Sequence, residues 1–132
     1  MAETFRLKII APTGVFYDDD IETMVIRGTE GEFAILADHT PLTTTIAVGT
    51  FNMDIGEKKI KSGTLLGGIA TIYPEETIIL TDAAEWVEDI DLNRAKAAKE
   101  RAEQRLKDDK FDVVRAQAAL ERAIARINSK KN

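Results

Sequence analysis

The sequence lacks several residue types and patterns that whole classes of protein require. The chain of 132 residues contains no cysteine and one histidine, His39. Disulfide bonds, thiol nucleophiles and cysteine-ligated metal sites are therefore excluded, and we expect no metal site. No apolar run approaches the roughly 18 to 20 residues of a membrane-spanning helix. We expect the chain to reach a membrane only through a partner, and we expect no nucleic acid partner.

Glycine and proline are few and are confined to the first part of the chain. All eight glycines lie between Gly14 and Gly68, and the last proline is Pro74. The charge changes over the same region, since residues 1–87 carry 6 Lys and Arg against 14 Asp and Glu, whereas residues 88–132 carry 12 against 9. Such changes in composition and charge indicate two regions with different roles. We predict a first domain over residues 1–87 and a second over residues 88–132.

The first region shows the two-residue period of β-strands. Phe5, Leu7 and Ile9 alternate with polar residues, and residues 51–55 repeat the pattern. Turn-forming clusters recur about every 8 to 12 residues, and the connections are too short for crossover helices. The pattern predicts an antiparallel β-sandwich or flattened barrel of eight to ten strands.

The second region shows a helical period. Asp91 is placed to cap a helix from Leu92 to about residue 107, and the charged residues 108–110 separate it from a second helix over about residues 112–128. The first helix presents mainly alanine to a neighbour, which favours helix but buries little apolar area. We therefore predict an antiparallel two-helix hairpin that docks weakly and can detach. The apolar stripe of the second helix comprises Val113, Ala116, Leu120, Ala123, Ile124 and Ile127.

Each helix carries three arginines at spacings of seven and four residues, which places each set on one face. Guanidinium groups bind phosphates and carboxylates in a bidentate way, so these faces are candidate binding surfaces. The alternative is a solvated face with i,i+4 ion pairs, which Lys96/Glu100, Lys99/Glu103 and Glu103/Lys107 supply, and the spacing leaves both interpretations open. The two sets are Arg94, Arg101 and Arg105, and Arg115, Arg122 and Arg126.

Independent catalysis has little support in the sequence. Neither of the glycine-rich phosphate-binding patterns, GxxxxGK[ST] and GxGxxG, occurs. The run Asp18 to Asp20 is a weak candidate for a cation or hydrolase site, because consecutive carboxylates point in different directions in an extended chain. His39 has no nucleophile near it in sequence, so we expect a structural or interface role. Trp86 and Val87 are expected to pack the two regions together, with contact to another protein as the alternative.

Four segments follow one another along the chain: GEFAILADHTPL at residues 31–42, the segment from SG to LGGI at residues 62–69, AAE at residues 83–85 and EDIDLNRA at residues 88–95. In this order they resemble the epsilon subunits of F-type, proton-translocating ATP synthases, those of bacilli in particular. The resemblance covers essentially the whole chain. It implies the same order of a β-sandwich and a helical hairpin.

The resemblance also implies a role. The chain would be a central-stalk rotor subunit, not catalytic alone and without a required cofactor, at the cytoplasmic face of the bacterial cell membrane. The sandwich would bind the gamma subunit and the c-ring loops, with Glu32 and His39 in that contact, and would couple proton flow to ATP synthesis. The hairpin would inhibit ATP hydrolysis by contacting the alpha and beta catalytic subunits through Arg115, Arg122 and Arg126.

A last implication concerns a regulatory ligand. Bacillus-like members bind ATP through an Ile-Asp-x-x-Arg-Ala motif together with arginines of the second helix. The resemblance assigns adenine contacts to Ile90, Asp91 and Ala95, phosphate contacts to Arg94, Arg122 and Arg126, and an accessory position to Glu85. A free-standing sensor of ATP or phosphate that signals through hairpin docking is the alternative function.

Overall fold

A computed structural model describes residues 3–108 and 112–131. Asp109 and Lys110, part of the predicted break between the helices, lie outside the described residues. The strands are β1 Phe5–Ala11, β2 Gly14–Ile21, β3 Thr23–Gly28, β4 Gly31–Leu36, β5 Leu42–Asp54, β6 Ile60–Ile72, β7 Glu76–Thr81 and β8 Ala84–Trp86. A 3₁₀ turn, Val87–Asp89, leads to the helices α1 Leu92–Leu106 and α2 Val113–Lys131.

The strands follow the order β2-β1-β7-β6-β5-β3-β4, and β8 adds to β6. The predicted sandwich followed by a helical hairpin is confirmed, with the strand number at the lower end of the predicted range. One pair departs from the antiparallel expectation, because β1 and β7 run parallel with Leu7 opposite Thr77. Short connections impose antiparallel pairing only on strands that are adjacent in sequence, and these two strands are far apart in the chain.

The long hairpin of β5 and β6 separates the core from the helical layer. Phe51 and Leu65 are buried in the core cluster of the sandwich. Thr50 and Thr64 pair directly across the two strands and point to the opposite face, because successive side chains alternate along a strand. Gly63 makes room for β8, since a Cβ there would lie 2.5 Å from the carbonyl oxygen of Glu85.

The helices begin where the sequence predicts. The Asp91 side chain accepts a hydrogen bond from the Arg94 backbone N–H at 3.1 Å, which confirms it as the cap of α1. At the start of α2, Asp112 Oδ1 accepts from the Val114 N–H at 2.9 Å. Within residues 3–108 and 112–131, neither helix combines the length and the apolar character that crossing a bilayer requires.

The predicted apolar stripe of α2 is wrong at two positions. Val113 is 56% exposed and Ile124 is 36% exposed, whereas Ala116, Ala123 and Ile127 are buried. Among the described residues, the side chains of α2 that make polar contacts with the first domain lie in its second half, and Val113 stands at the exposed start of the helix. The buried face of α2 is therefore narrow and consists mainly of small side chains.

Candidate functional site

A cavity of about 460 Å³ lies where the hairpin meets the end of the first domain. Strand β8 contributes one wall, the residues around the 3₁₀ turn and the start of α1 contribute the next, and α2 closes it. Because side chains from β8, the 3₁₀ turn and both helices meet here, the cavity depends on the packing of the hairpin against the end of the first domain. The lining residues are Glu85, Asp89, Ile90, Asp91, Arg94, Ala95, Ala98, Arg101 and Arg126.

The start of α1 explains why these side chains share one cavity. Ile90 is 4% exposed and anchors the segment before the helix, and Asp91 caps the first turn. Residues three, four and seven apart lie on one helix face, so Arg94, Ala98 and Arg101 follow one another along the cavity. Because Ala95 and Ala98 are small, the space between the guanidinium groups of Arg94 and Arg101 stays open.

An ion pair joins α2 to β8 at the edge of the cavity. Arg126 Nε and Nη2 each lie 2.6 Å from Glu85 Oε1, and the two side chains are 28% and 32% exposed. A guanidinium has five N–H donors, of which Arg126 Nε–H donates to Glu85 Oε1, while Nη2 lies in ion-pair contact with the same oxygen. The cavity therefore retains N–H donors of Arg94, Arg101 and Arg126 for an anionic group, with Ile90 and Ala95 as apolar wall.

The structure brings together six of the seven residues that the sequence assigns to ATP. These are Glu85, Ile90, Asp91, Arg94, Ala95 and Arg126. Arg122 is exposed one helical turn before Arg126 and lies outside the described lining of the cavity. The assignment missed Asp89, Ala98 and Arg101, although the spacing of seven residues between Arg94 and Arg101 already placed the latter on the same face.

The outer faces of the helices are charged and exposed. Arg115 and Arg122, two of the three residues predicted to contact the catalytic subunits, are exposed on α2. Ion pairs between neighbouring turns of a helix could neutralise part of this charge. Within the described residues of α1, Lys99 Nζ lies 4.0 Å from Glu103 Oε1. Exposed pairs of this kind contribute little to stability. The contact with catalytic subunits stays a prediction.

Glu32 and His39 lie on different features of the sandwich. Glu32 faces solvent on β4 and lines a groove of about 620 Å³ beside Leu42 and Ile69. His39 belongs to the connection between β4 and β5, with Nδ1 at 2.6 Å from the carbonyl oxygen of Thr40. Their contacts with gamma and the c-ring stay predictions.

The aspartate run lies in strand β2. Within β2, Asp18 pairs with Arg6 at 2.7 Å and Asp20 approaches the same guanidinium at 3.8 Å. These carboxylates are thus directed at a cation of the chain itself.

Trp86, near the end of the first domain, packs against other side chains of that domain. Its ring centroid lies 4.6 Å from that of Phe16 and 5.9 Å from that of Phe51, and Lys61 Nζ lies 4.6 Å from the ring. Trp86 is therefore held in place by these contacts, directly before the 3₁₀ turn that leads to the hairpin.

Comparison with known proteins gives matches over both regions. The family model described as "ATP synthase, Delta/Epsilon chain, beta-sandwich domain" matches residues 4–87, and "ATP synthase, Delta/Epsilon chain, long alpha-helix domain" matches residues 88–131. The chain is 76% identical over 132 residues to "ATP synthase epsilon chain, sodium ion specific" of Acetobacterium woodii, with 100% of this chain and 99% of the relative covered. An ATP synthase epsilon chain of Desulforamulus reducens is 43% identical over 131 residues, or 98% of each chain.

Two solved structures share the fold. A chain in the cryo-EM structure of the Euglena gracilis mitochondrial ATP synthase, OSCP/F1/c-ring, superimposes with a TM-score of 0.82 at 21% identity, covering 92% of this chain and 78% of that one. A chain of the Tetrahymena thermophila mitochondrial ATP synthase central stalk/c-ring gives a TM-score of 0.62 at 10% identity, covering 98% and 96%. Likeness at these identities shows the fold alone.

Proposed function

This chain belongs to the epsilon subunits of the F-type ATP synthases, and from that membership we propose that the sandwich couples rotation while the hairpin acts as an ATP-dependent brake on hydrolysis. The chain is a non-catalytic subunit of the central stalk, part of a membrane-bound complex. The bacillus-like form of regulation, the individual contacts and the cytoplasmic face of the membrane are parts of the proposal.

In this proposal the sandwich binds the gamma subunit and the c-ring loops. Exposed apolar side chains on the sheet, such as Ile69 at 49% and Leu80 at 54%, support a protein-binding role for that surface. Glu32 and His39 contribute polar contacts. Because the chain contains no cysteine, a single cysteine at position 32 or 39 can be crosslinked in the assembled complex, and adducts with gamma or a c-ring subunit are expected.

The observation that carries the regulatory part is the cavity between the hairpin and the first domain. Arg94 from α1 and Arg126 from α2 converge on one space beside the apolar Ile90 and Ala95. ATP bound there touches both helices and β8, so it stabilises the docked hairpin by RT ln(1 + [L]/Kd). Arg122 lies one turn away on α2 and completes the phosphate contacts.

Docking and inhibition compete for the same side chain. In the docked state Arg126 is bound to Glu85 at 2.6 Å and faces the cavity. It cannot at the same time reach the alpha and beta subunits. The undocked hairpin presents Arg115, Arg122 and Arg126 to the catalytic subunits and blocks hydrolysis, and ATP opposes this by holding the docked state.

Calorimetric titration of the full chain with MgATP tests the ligand. We expect one saturable site, which Arg126→Ala loses and Arg115→Ala keeps, because Arg115 is exposed outside the described lining of the cavity. Absence of binding up to millimolar MgATP, or equal binding by both variants, would overturn the assignment.

Removal of residues 88–132 from the subunit tests inhibition in the complex. We expect the truncated complex to assemble and to hydrolyse ATP faster than the complex with the full chain. If hydrolysis is unchanged in an intact complex, the inhibitory role is wrong.

The coupling ion is a separate proposal. The resemblance implies a proton-coupled complex, but the relative that is 76% identical is named as sodium ion specific. We therefore propose that the complex containing this chain transports Na⁺. Vesicles that carry the purified complex should take up Na⁺ on addition of ATP, whereas ATP-driven proton uptake that persists at saturating Na⁺, without Na⁺ uptake, would overturn this proposal.

A further inference from the structure

Three hydroxyl groups meet beneath the end of α2. Ser129 lies 1% exposed on the helix, and its Oγ is 2.7 Å from Thr64 Oγ1 on β6 and 2.5 Å from Thr50 Oγ1 on β5. The two threonines face each other across the strands, so both hydroxyls are directed at the same oxygen. Thr64 itself is fully buried. A cluster of hydroxyls is thus enclosed where the hairpin rests on the sandwich.

The hydrogen-bonding capacity of Ser129 is fully used. A hydroxyl donates one hydrogen bond and accepts two. Ser129 Oγ donates to the carbonyl oxygen of Ala125, one turn earlier in α2, at 2.8 Å. Its two lone pairs then accept from Thr64 and Thr50. One side chain of the helix therefore satisfies both strand hydroxyls, and this arrangement needs one rotation and one register of α2 on the sheet.

We propose that Thr50, Thr64 and Ser129 form a hydroxyl latch that sets the docking equilibrium of the hairpin. The inference rests on the proposed function, since it requires a hairpin that detaches. In the open state water hydrates the two threonines, so opening leaves no polar group unpaired. In the closed state the three groups satisfy one another. The latch therefore specifies the docked position without making it irreversible.

The latch predicts an asymmetry between single and combined substitutions. In the docked state only, Ser129→Ala leaves the buried Thr64 hydroxyl and the half-buried Thr50 hydroxyl without their acceptor, which costs more than the hydrogen bonds themselves. The ratio of docked to undocked chains should fall roughly tenfold or more. Adding Thr50→Val and Thr64→Val replaces the two unpaired hydroxyls by methyl groups of similar size. The triple variant should return to within about threefold of the original ratio.

A single reactive thiol can report docking, because the chain has no cysteine of its own. Ala125 is 9% exposed and lines the groove that α2 forms with Val48 and Thr50 of β5. An Ala125→Cys reporter is placed in every variant, and its rate of modification by a thiol reagent is measured without nucleotide. When closing is faster than labelling, this rate is proportional to the opening equilibrium, so rare opening is still detected.

Thr77→Val is the matched control. Thr77 is fully buried on β7, and its Oγ1 has no hydrogen-bond partner among the described residues. The same chemical change there should leave the labelling rate unaltered. Global unfolding of each variant in urea is followed by circular dichroism, so that labelling through complete unfolding is recognised.

The expected result is labelling about tenfold faster in Ser129→Ala, near the original rate in the triple variant and unaltered in Thr77→Val. An unaltered rate in Ser129→Ala overturns the latch. So does a triple variant that labels as fast as Ser129→Ala, because the loss then comes from packing and not from stranded hydroxyls. Since no ATP and no partner subunit is present, failure of the latch is distinguishable from failure of ATP binding or inhibition.

Discussion

The ion pair between Glu85 and Arg126 gives the most direct test of how the hairpin is held. Two N–H groups of Arg126 reach one carboxylate oxygen at 2.6 Å, with the side chains about one third exposed. Fully exposed pairs contribute about 0 to 1 kcal/mol, and charge-assisted hydrogen bonds in less exposed sites about 1.5 to 3 kcal/mol. Glu85→Gln keeps an oxygen acceptor and removes the charge, so we expect a loss of about 1 kcal/mol, or roughly fivefold in the docking equilibrium.

The thiol reporter at position 125 measures this loss. Labelling of Glu85→Gln should be about fivefold faster than labelling of the original sequence at low salt, with a smaller difference at high salt, because salt screens the pair that only the original sequence retains. Glu103→Gln is the control, since Glu103 pairs with Lys99 inside α1 at 4.0 Å and bridges no domains. Equal labelling of Glu85→Gln and the original sequence, or the same acceleration in Glu103→Gln, would refute the reasoning.

Three further predictions concern stability. Gly68→Ala should destabilise the fold by more than about 3 kcal/mol in urea denaturation, because a Cβ there would stand 2.1 Å from the carbonyl oxygen of Leu80; an unchanged midpoint would contradict this. Asp91→Ala should lower stability of α1 by about 1 kcal/mol, seen as earlier loss of helical circular dichroism, whereas Asn at this position should restore it. Burial, assisted by the charge of Asp19, raises the pKa of Tyr17 above its ordinary value of 10.0, so the folded chain retains the phenol proton where the unfolded chain releases it. Stability should therefore fall as the pH rises above about 10, and Tyr17→Phe should make the fall smaller.

Features that depend on neighbouring residues are foreseeable from the sequence. Phe5, Leu7 and Ile9 alternate with polar residues, and all three are buried at 2% exposure or less. Asp91 caps α1 because a cap needs only a short polar side chain before a helical segment. The motif around Ile90 also lies in one stretch of chain, so formation of α1 is enough to bring its residues together, whereas the cavity itself also needs Glu85 and Arg126.

Features that depend on distant parts of the chain were not foreseeable. Ser129 and Thr64 are 65 residues apart, and no local pattern marks either as a partner of the other. The parallel pairing of β1 with β7 likewise joins the first and seventh strands. Ile124 has the spacing of a core residue, but its exposure depends on which side of α2 meets the sheet. These choices are made by tertiary packing, which periodicity does not encode.

The chemistry of the docking surface explains how a ligand could control it. Of the α1 side chains, only Ala95 and Ala102 are buried among the described residues, so hydrophobic burial contributes little to holding this helix. Among the described residues, the polar contacts that hold α2 are the Glu85 ion pair, the hydroxyl latch and the Lys130 ammonium, which donates to the carbonyl oxygen of Val87 at 3.0 Å, and they stand beside the small buried face of Ala123, Ala125 and Ile127.

If the hairpin opens as proposed, water can replace every one of these polar partners, and the docked and open states then differ by a small free energy that is sensitive to one more contact. A ligand that binds only the closed cavity favours the docked state by the whole free energy of its binding. A wide leucine face in place of the alanines would instead hold the hairpin closed in the presence of any effector.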